Sequence, residues 1–107
     1  VRAEAPTGGL MAELHALETV QAALREGRAA RAELALDAYM AAFPKGELAP
    51  EAEMLRIDVA LARGQHVRAL ALARAFERRP EAARYRERLR ALLDSMHVSD
   101  REPGTPP

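Results

Sequence analysis

Apolar residues recur along this chain at helical spacing, in five blocks separated by glycine or proline. Leu10, Leu14, Leu17, Val20 and Leu24 advance by four, three, three and four positions. That spacing puts them on one stripe of a helix expected over residues 10–26. Gly27 tolerates left-handed backbone and ends it. The second block, residues 29–42, carries Ala32, Leu36 and Tyr39, with Phe43 at its end. Pro44 stops it, because a proline ring biases the residue before it away from helical geometry. Residues 45–49 read as a connector, and Pro50 suits the first turn of a third helix over 51–63. Met54, Leu55, Ile57, Val59 and Leu61 cover more than one face of that helix. It is therefore expected to lie between neighbours on both sides. Gly64 ends it. A fourth helix over 66–78 points Val67, Leu70, Ala73 and Phe76 inward and stops at Pro80. A fifth over 81–96 carries Ala82, Tyr85, Leu89, Leu92 and Met96 on one stripe. Residues 1–9, with Pro6, Gly8 and Gly9, read as a flexible lead-in. Residues 97–107 lack periodicity and hold Pro103, Pro106 and Pro107, so they read as a disordered tail.

The blocks repeat. Leu17, Val20, Leu24 and Gly27 correspond to Met54, Ile57, Leu61 and Gly64 at an offset of 37, as do Ala32 to Ala69 and Tyr39 to Phe76. Pro44 and Pro80 match at 36. Self-similarity at such a period marks a stacked helical repeat. Each match has a physical role. The glycine turns the chain between antiparallel helices, and the small Ala lets the second helix approach the first. The aromatic wedges against the next unit, and the proline stops the second helix. Two hairpins leave an apolar face open, which the fifth helix would cover with Arg84, Glu87, Arg88 and Arg90 outward. The expected fold is all-α: two antiparallel hairpins plus a C-terminal capping helix, five helices in all.

On these residues the chain resembles a tetratricopeptide-repeat (TPR) domain, whose units are about 34 residues of helix–turn–helix. Gly27, Ala32 and Pro44, then Gly64, Ala69 and Pro80, carry the likeness, which covers residues 10–96. The segment from Phe43 to Ala52 is similar to the FP-x-S-x-x-A-x-x-A connector of bacterial cell-envelope TPR proteins. Tol-Pal-associated periplasmic proteins and outer-membrane assembly lipoproteins are of that kind. The chain departs from the pattern by lacking the usual Trp/Leu/Gly/Tyr run in the first helix and by a longer first unit. The resemblance implies a groove lined by the first helix of each hairpin. By position, Leu14, Gln21, Arg25, Glu51, Asp58 and Ala62 are its candidate residues, with Gln21 and Asp58 matching at the offset of 37. It also implies the periplasmic side of a bacterial envelope, with the cytoplasm as the alternative.

Composition agrees with the pattern. Ala and Leu, both strong helix formers, supply 38 of the 52 hydrophobic residues. The 16 basic and 16 acidic residues balance, so net charge favours neither nucleic acid nor anionic membranes. Fifteen of the basic residues are Arg, a bias that GC-rich codon usage also produces. Residues 74–90 hold a local excess: Arg74, Arg78, Arg79, Arg84, Arg86, Arg88 and Arg90 against Glu77, Glu81 and Glu87. Such a span could meet an acidic partner, anionic lipid or nucleic acid. Only Tyr85 interleaves with it, which serves base stacking poorly and disfavours the nucleic-acid reading. The chain opens on Val1 rather than Met, as expected of a piece of a longer protein or a processed form.

Catalytic and metal signatures are missing from the sequence. There is no cysteine, and His15, His66 and His97 are not spaced as ligands on one helix. No serine sits in a Gly-x-Ser-x-Gly elbow, and Gly8-Gly9 is too short to cradle a phosphate. The carboxylates read as helix-surface charges. No run of 18 apolar residues is present to span a membrane. The expectation is a non-catalytic module without cofactor that presents a helical surface to a peptide or partner domain. The rival class is a structural or oligomerising domain of a larger protein.

Overall fold

The computed structural model describes the backbone of residues 9–104 and the side chains of residues 9–96. Among the described residues the fold is all-α and has no strand. It consists of α1 (Leu10–Arg25), α2 (Ala29–Ala42), α3 (Ala49–Ala62), α4 (His66–Glu77), a 3-10 segment (Pro80–Tyr85) and α5 (Arg86–Gly104). The radius of gyration is 15.5 Å, against about 13 Å for a globule of this length. The helices are stacked in a row rather than wrapped round one centre.

Both hairpin turns close in the same way. Gly27 and Gly64 adopt φ of 73° and 75°, a region where a Cβ is costly. Arg28 N–H donates to the Ala23 carbonyl at 2.9 Å and Gly27 N–H to Leu24 at 3.0 Å. At the second turn Gln65 N–H donates to Ala60 at 2.8 Å and Gly64 N–H to Leu61 at 3.0 Å. These paired bonds satisfy the last carbonyls of α1 and α3 and reverse the chain.

Two apolar clusters result, and α3 supplies both. Ala52, Leu55 and Val59 join Leu17, Val20, Ala23, Ala32, Leu36 and Tyr39 in the first. Met54, Ile57 and Ala60 join Ala69, Ala73, Phe76, Ala82, Leu89 and Met96 in the second. Helix α3 packs on α1 and α2 on one side and on α4 on the other. Its six buried residues meet the expectation of a helix enclosed on both sides.

Helix α5 takes the place of a first helix in a third unit. Leu89, Leu92 and Met96 stand 37 residues after Ala52, Leu55 and Val59 and pack into the second cluster. The positions matching Met54 and Ile57 are Ala91 and Asp94, both exposed. Where a further helix would need an apolar surface, α5 is polar, and the stack ends there. At the other end, His15 and Glu18 stand 37 residues before Ala52 and Leu55 and are exposed.

Several expectations need correction. Residues 81–85 were expected to begin the fifth α-helix, but they belong to a 3-10 helix, Pro80–Tyr85. Three residues per turn align Ala82 with Tyr85; Ala82 is buried and the Tyr85 ring meets Phe76 edge-on at 5.7 Å. Helix α3 starts at Ala49, with Pro50 in its first turn. Val67 is 86% exposed, not inward. Ala73 and Phe76 are buried as expected, together with Ala69, and Leu70 packs half-buried against the same cluster. Leu10 and Leu14 are exposed, because Glu13 takes the inward position at that level of α1. Helix α5 continues through residues 97–104, where an irregular tail was expected. Extending an existing helix costs far less than nucleating one, and Pro103 is the first residue there to oppose it. The expected lead-in, apart from Gly9, and residues 105–107 lie outside the described residues.

Candidate functional site

Helices α1, α3 and α5 together wall an open groove of about 530 Å³. Gln21, Leu24 and Arg25 come from α1, Leu55 and Asp58 from α3, and Arg88 from α5. The arrangement follows from helix geometry. Residues 21, 24 and 25 share one face of α1, and 55 and 58 share one face of α3. Of the six groove candidates named from sequence, Gln21, Arg25 and Asp58 are brought together here. Leu14 and Ala62 are exposed but do not line this groove. Glu51 reaches it only through an ion pair. Leu24, half-buried, and Leu55, a core residue beneath it, were not anticipated as site residues, and Arg88 was assigned to the basic span instead.

Arg88 bridges the groove. Its Nη1 donates to Glu51 Oε2 at 3.1 Å, and its Nη2 lies 3.7 Å from Asp58 Oδ2. Burial pushes the Asp58 carboxyl above its usual range; Arg88 opposes this and the charge of Glu51 adds to it. Arg25 is exposed and makes no ion pair among the described residues. The groove thus offers the half-buried Leu24, a side-chain amide, a partly desolvated carboxylate and the Arg25 guanidinium, which has no ion pair among the described residues.

A second polar centre was not anticipated. Glu13, expected as a surface charge, is only 4% exposed. Its Oε1 accepts from Tyr39 Oη at 2.8 Å and from Leu48 N–H at 3.0 Å, and its Oε2 accepts from Glu47 N–H at 3.1 Å. Burial alone would raise the Glu13 pKa, but the three hydrogen bonds outweigh it and hold the carboxyl below its usual value. The Tyr39 hydroxyl is pushed far up, first by burial and then by its bond to Glu13 and that residue's charge. Gly46 makes room for the carboxylate. A Cβ there would collide with Glu13 Oε1 and lie 2.7 Å from Tyr39 Oη. The centre ties α1, α2 and the connector into one joint.

The arginines of the span 74–90 stand in several settings. Arg79 Nη1 pairs with Glu53 at 3.1 Å and its Nε with Glu81 at 3.5 Å, and Arg88 is held by α3 as described. Arg84 lines a groove beside the connectors with Lys45, Glu47 and Glu81. Arg86 and Arg90 line a different one with Glu77 and Asp94. Arg74 and Arg78 are exposed on and just beyond α4. Among the described residues no three His, Asp or Glu side chains are grouped to hold a metal ion, and no helix is long and apolar enough to cross a membrane.

No protein-family model, curated protein or solved structure matches this chain.

Proposed function

We propose that this chain is a non-catalytic protein-interaction module of TPR type that holds a peptide segment of a partner protein in the groove between α1, α3 and α5. The carrying observation is that Gln21, Arg25 and Asp58, distant in sequence, converge with Leu24, Leu55 and Arg88 on one open surface. The spacing of 37 between Gln21 and Asp58 supports the same reading. The preferred occupant has an aliphatic residue to pack on the half-buried Leu24 and an acidic residue toward Arg25. Selection from a displayed peptide library, followed by calorimetry, tests this. Enriched peptides should carry an acidic residue beside Leu, Ile or Met. Arg25→Glu and the pair Gln21→Ala/Asp58→Ala should each weaken them by about tenfold or more, as hot-spot substitutions do. Unchanged affinity in both variants would reject this surface.

One observation favours the oligomerising alternative. Leu10, Met11 and Leu14 are 52%, 75% and 41% exposed at the start of α1. If that patch pairs copies of the chain, light scattering should show a dimer that Met11→Glu dissociates. The nucleic-acid reading draws little support, because Arg79 and Arg88 are already engaged by α3 carboxylates.

A further inference from the structure

The two joints of the stack are built differently, and the difference falls on the groove. At the first joint Glu13, Tyr39 and Gly46 clamp the connector through the hydrogen bonds described above. The corresponding positions at the second joint, 37 residues on, are Pro50, Phe76 and Ala83. Carboxylate, hydroxyl and space-making glycine are all replaced together. In their place stands a six-residue 3-10 helix, Pro80–Tyr85. Such runs exceed the usual three or four residues, have poorer hydrogen-bond geometry and often mark hinges.

The packing on either side differs too. Helix α3 approaches the backbone of both α1 and α2, whereas α5 approaches α4 and the 3-10 segment and has no comparable approach to α3. Arg79 anchors the near end of the segment to Glu53 of α3. Beyond it, the polar link from α5 back to α3 across the groove is the Arg88 side chain on Glu51 and Asp58, beside the apolar cluster that Leu89 and Met96 share with Met54, Ile57 and Ala60. The Arg88 side chain is 44% exposed, and exposed ion pairs are weak and screened by salt.

We propose that α5 is a hinged wall of the groove, pivoting at Pro80–Tyr85 against α4, with Arg88 as the strap that holds the groove at its closed width. The use of this motion in capturing a peptide rests on the groove reading above; the motion itself rests on the joints. Arg88 acts here as a positioning residue, and a ligand carboxylate that drew it from Glu51 and Asp58 would release the wall.

The chain has no cysteine, so pairs of introduced cysteines can carry spin labels uniquely. Ala71→Cys on α4 with Ala91→Cys on α5 spans the second joint; Ala38→Cys on α2 with Ala71→Cys spans the first. All three positions are exposed. Distance distributions are read by double electron–electron resonance on the full chain without ligand. Arg88→Ala, or raised salt with Arg88 intact, should shift the second-joint distribution to longer distances and broaden it, leaving the first joint unchanged. Glu13→Gln should broaden the first joint alone. An unaltered second joint in Arg88→Ala, or equal broadening of both joints, overturns the hinge. A second-joint shift combined with no selectable peptide would instead sink the groove reading and leave the hinge standing.

Discussion

Removing the Glu13 charge without changing its shape should unfasten the first joint. In Glu13→Gln the side-chain volume is kept, but one of the two oxygens becomes an NH₂ group that cannot accept. Three donors currently converge on the carboxylate: Tyr39 Oη, Leu48 N–H and Glu47 N–H. A carboxamide oxygen serves at most two of them well, and its NH₂ faces the third. Hydrogen bonds to a charged acceptor contribute about 1.5–3 kcal/mol each, and an orphaned buried donor costs about 1–3 kcal/mol. Glu47 is exposed, so water can replace its partner, and loss of the buried charge returns part of the desolvation cost. The expected net loss is about 2 kcal/mol. Tyr39→Phe removes one donor and leaves the carboxylate on two backbone amides, for about 1 kcal/mol. The double variant should lose less than the sum, because both changes break the same bond. Urea unfolding followed by circular dichroism reads all three. The pH arm has a definite sign. The folded pKa of Glu13 is lowered, so its contribution is complete above the unfolded carboxylate value and is lost as pH falls through the folded pKa. Wild type should therefore lose stability more steeply in acid than Glu13→Gln. A loss below about 0.5 kcal/mol, the scatter of neutral surface changes, or strict additivity in the double variant would refute the argument.

Two further predictions use the same assay. Gly46→Ala should cost about 1–3 kcal/mol, because its Cβ would collide with Glu13 Oε1; a neutral result would mean the connector yields freely. Ile57→Ala, at a fully buried site between α3 and α4, should cost about 2–5 kcal/mol. Val67→Ser, at a site 86% exposed, should stay within about 0.5 kcal/mol. Comparable losses from the two would contradict the assigned inward face of α4.

Much of the fold is legible in local pattern. The helices end where glycine and proline stand, and both hairpin glycines have positive φ as the repeat implied. The misplacement of Leu10 and Leu14 has one cause. Periodicity marks a stripe but not which of two neighbouring stripes wins, and Leu10 and Leu14 lost to Glu13. That residue stands four before Leu17 and seven before Val20, on the buried stripe itself, so its place was available in the spacing. Its hydrogen-bond partners were not, since they come from positions 26, 34 and 35 residues away. The same holds for the groove. Gln21, Arg25 and Asp58 were reachable by position, whereas Leu24, Leu55 and Arg88 joined them through the stacking of three helices. What the sequence by itself determined is therefore the set of helices, their turns and the period of 37, because each depends on contacts within a few residues. Only the tertiary structure decided which carboxylate is buried and which arginines are paired, because those outcomes depend on distances between helices that no local pattern specifies.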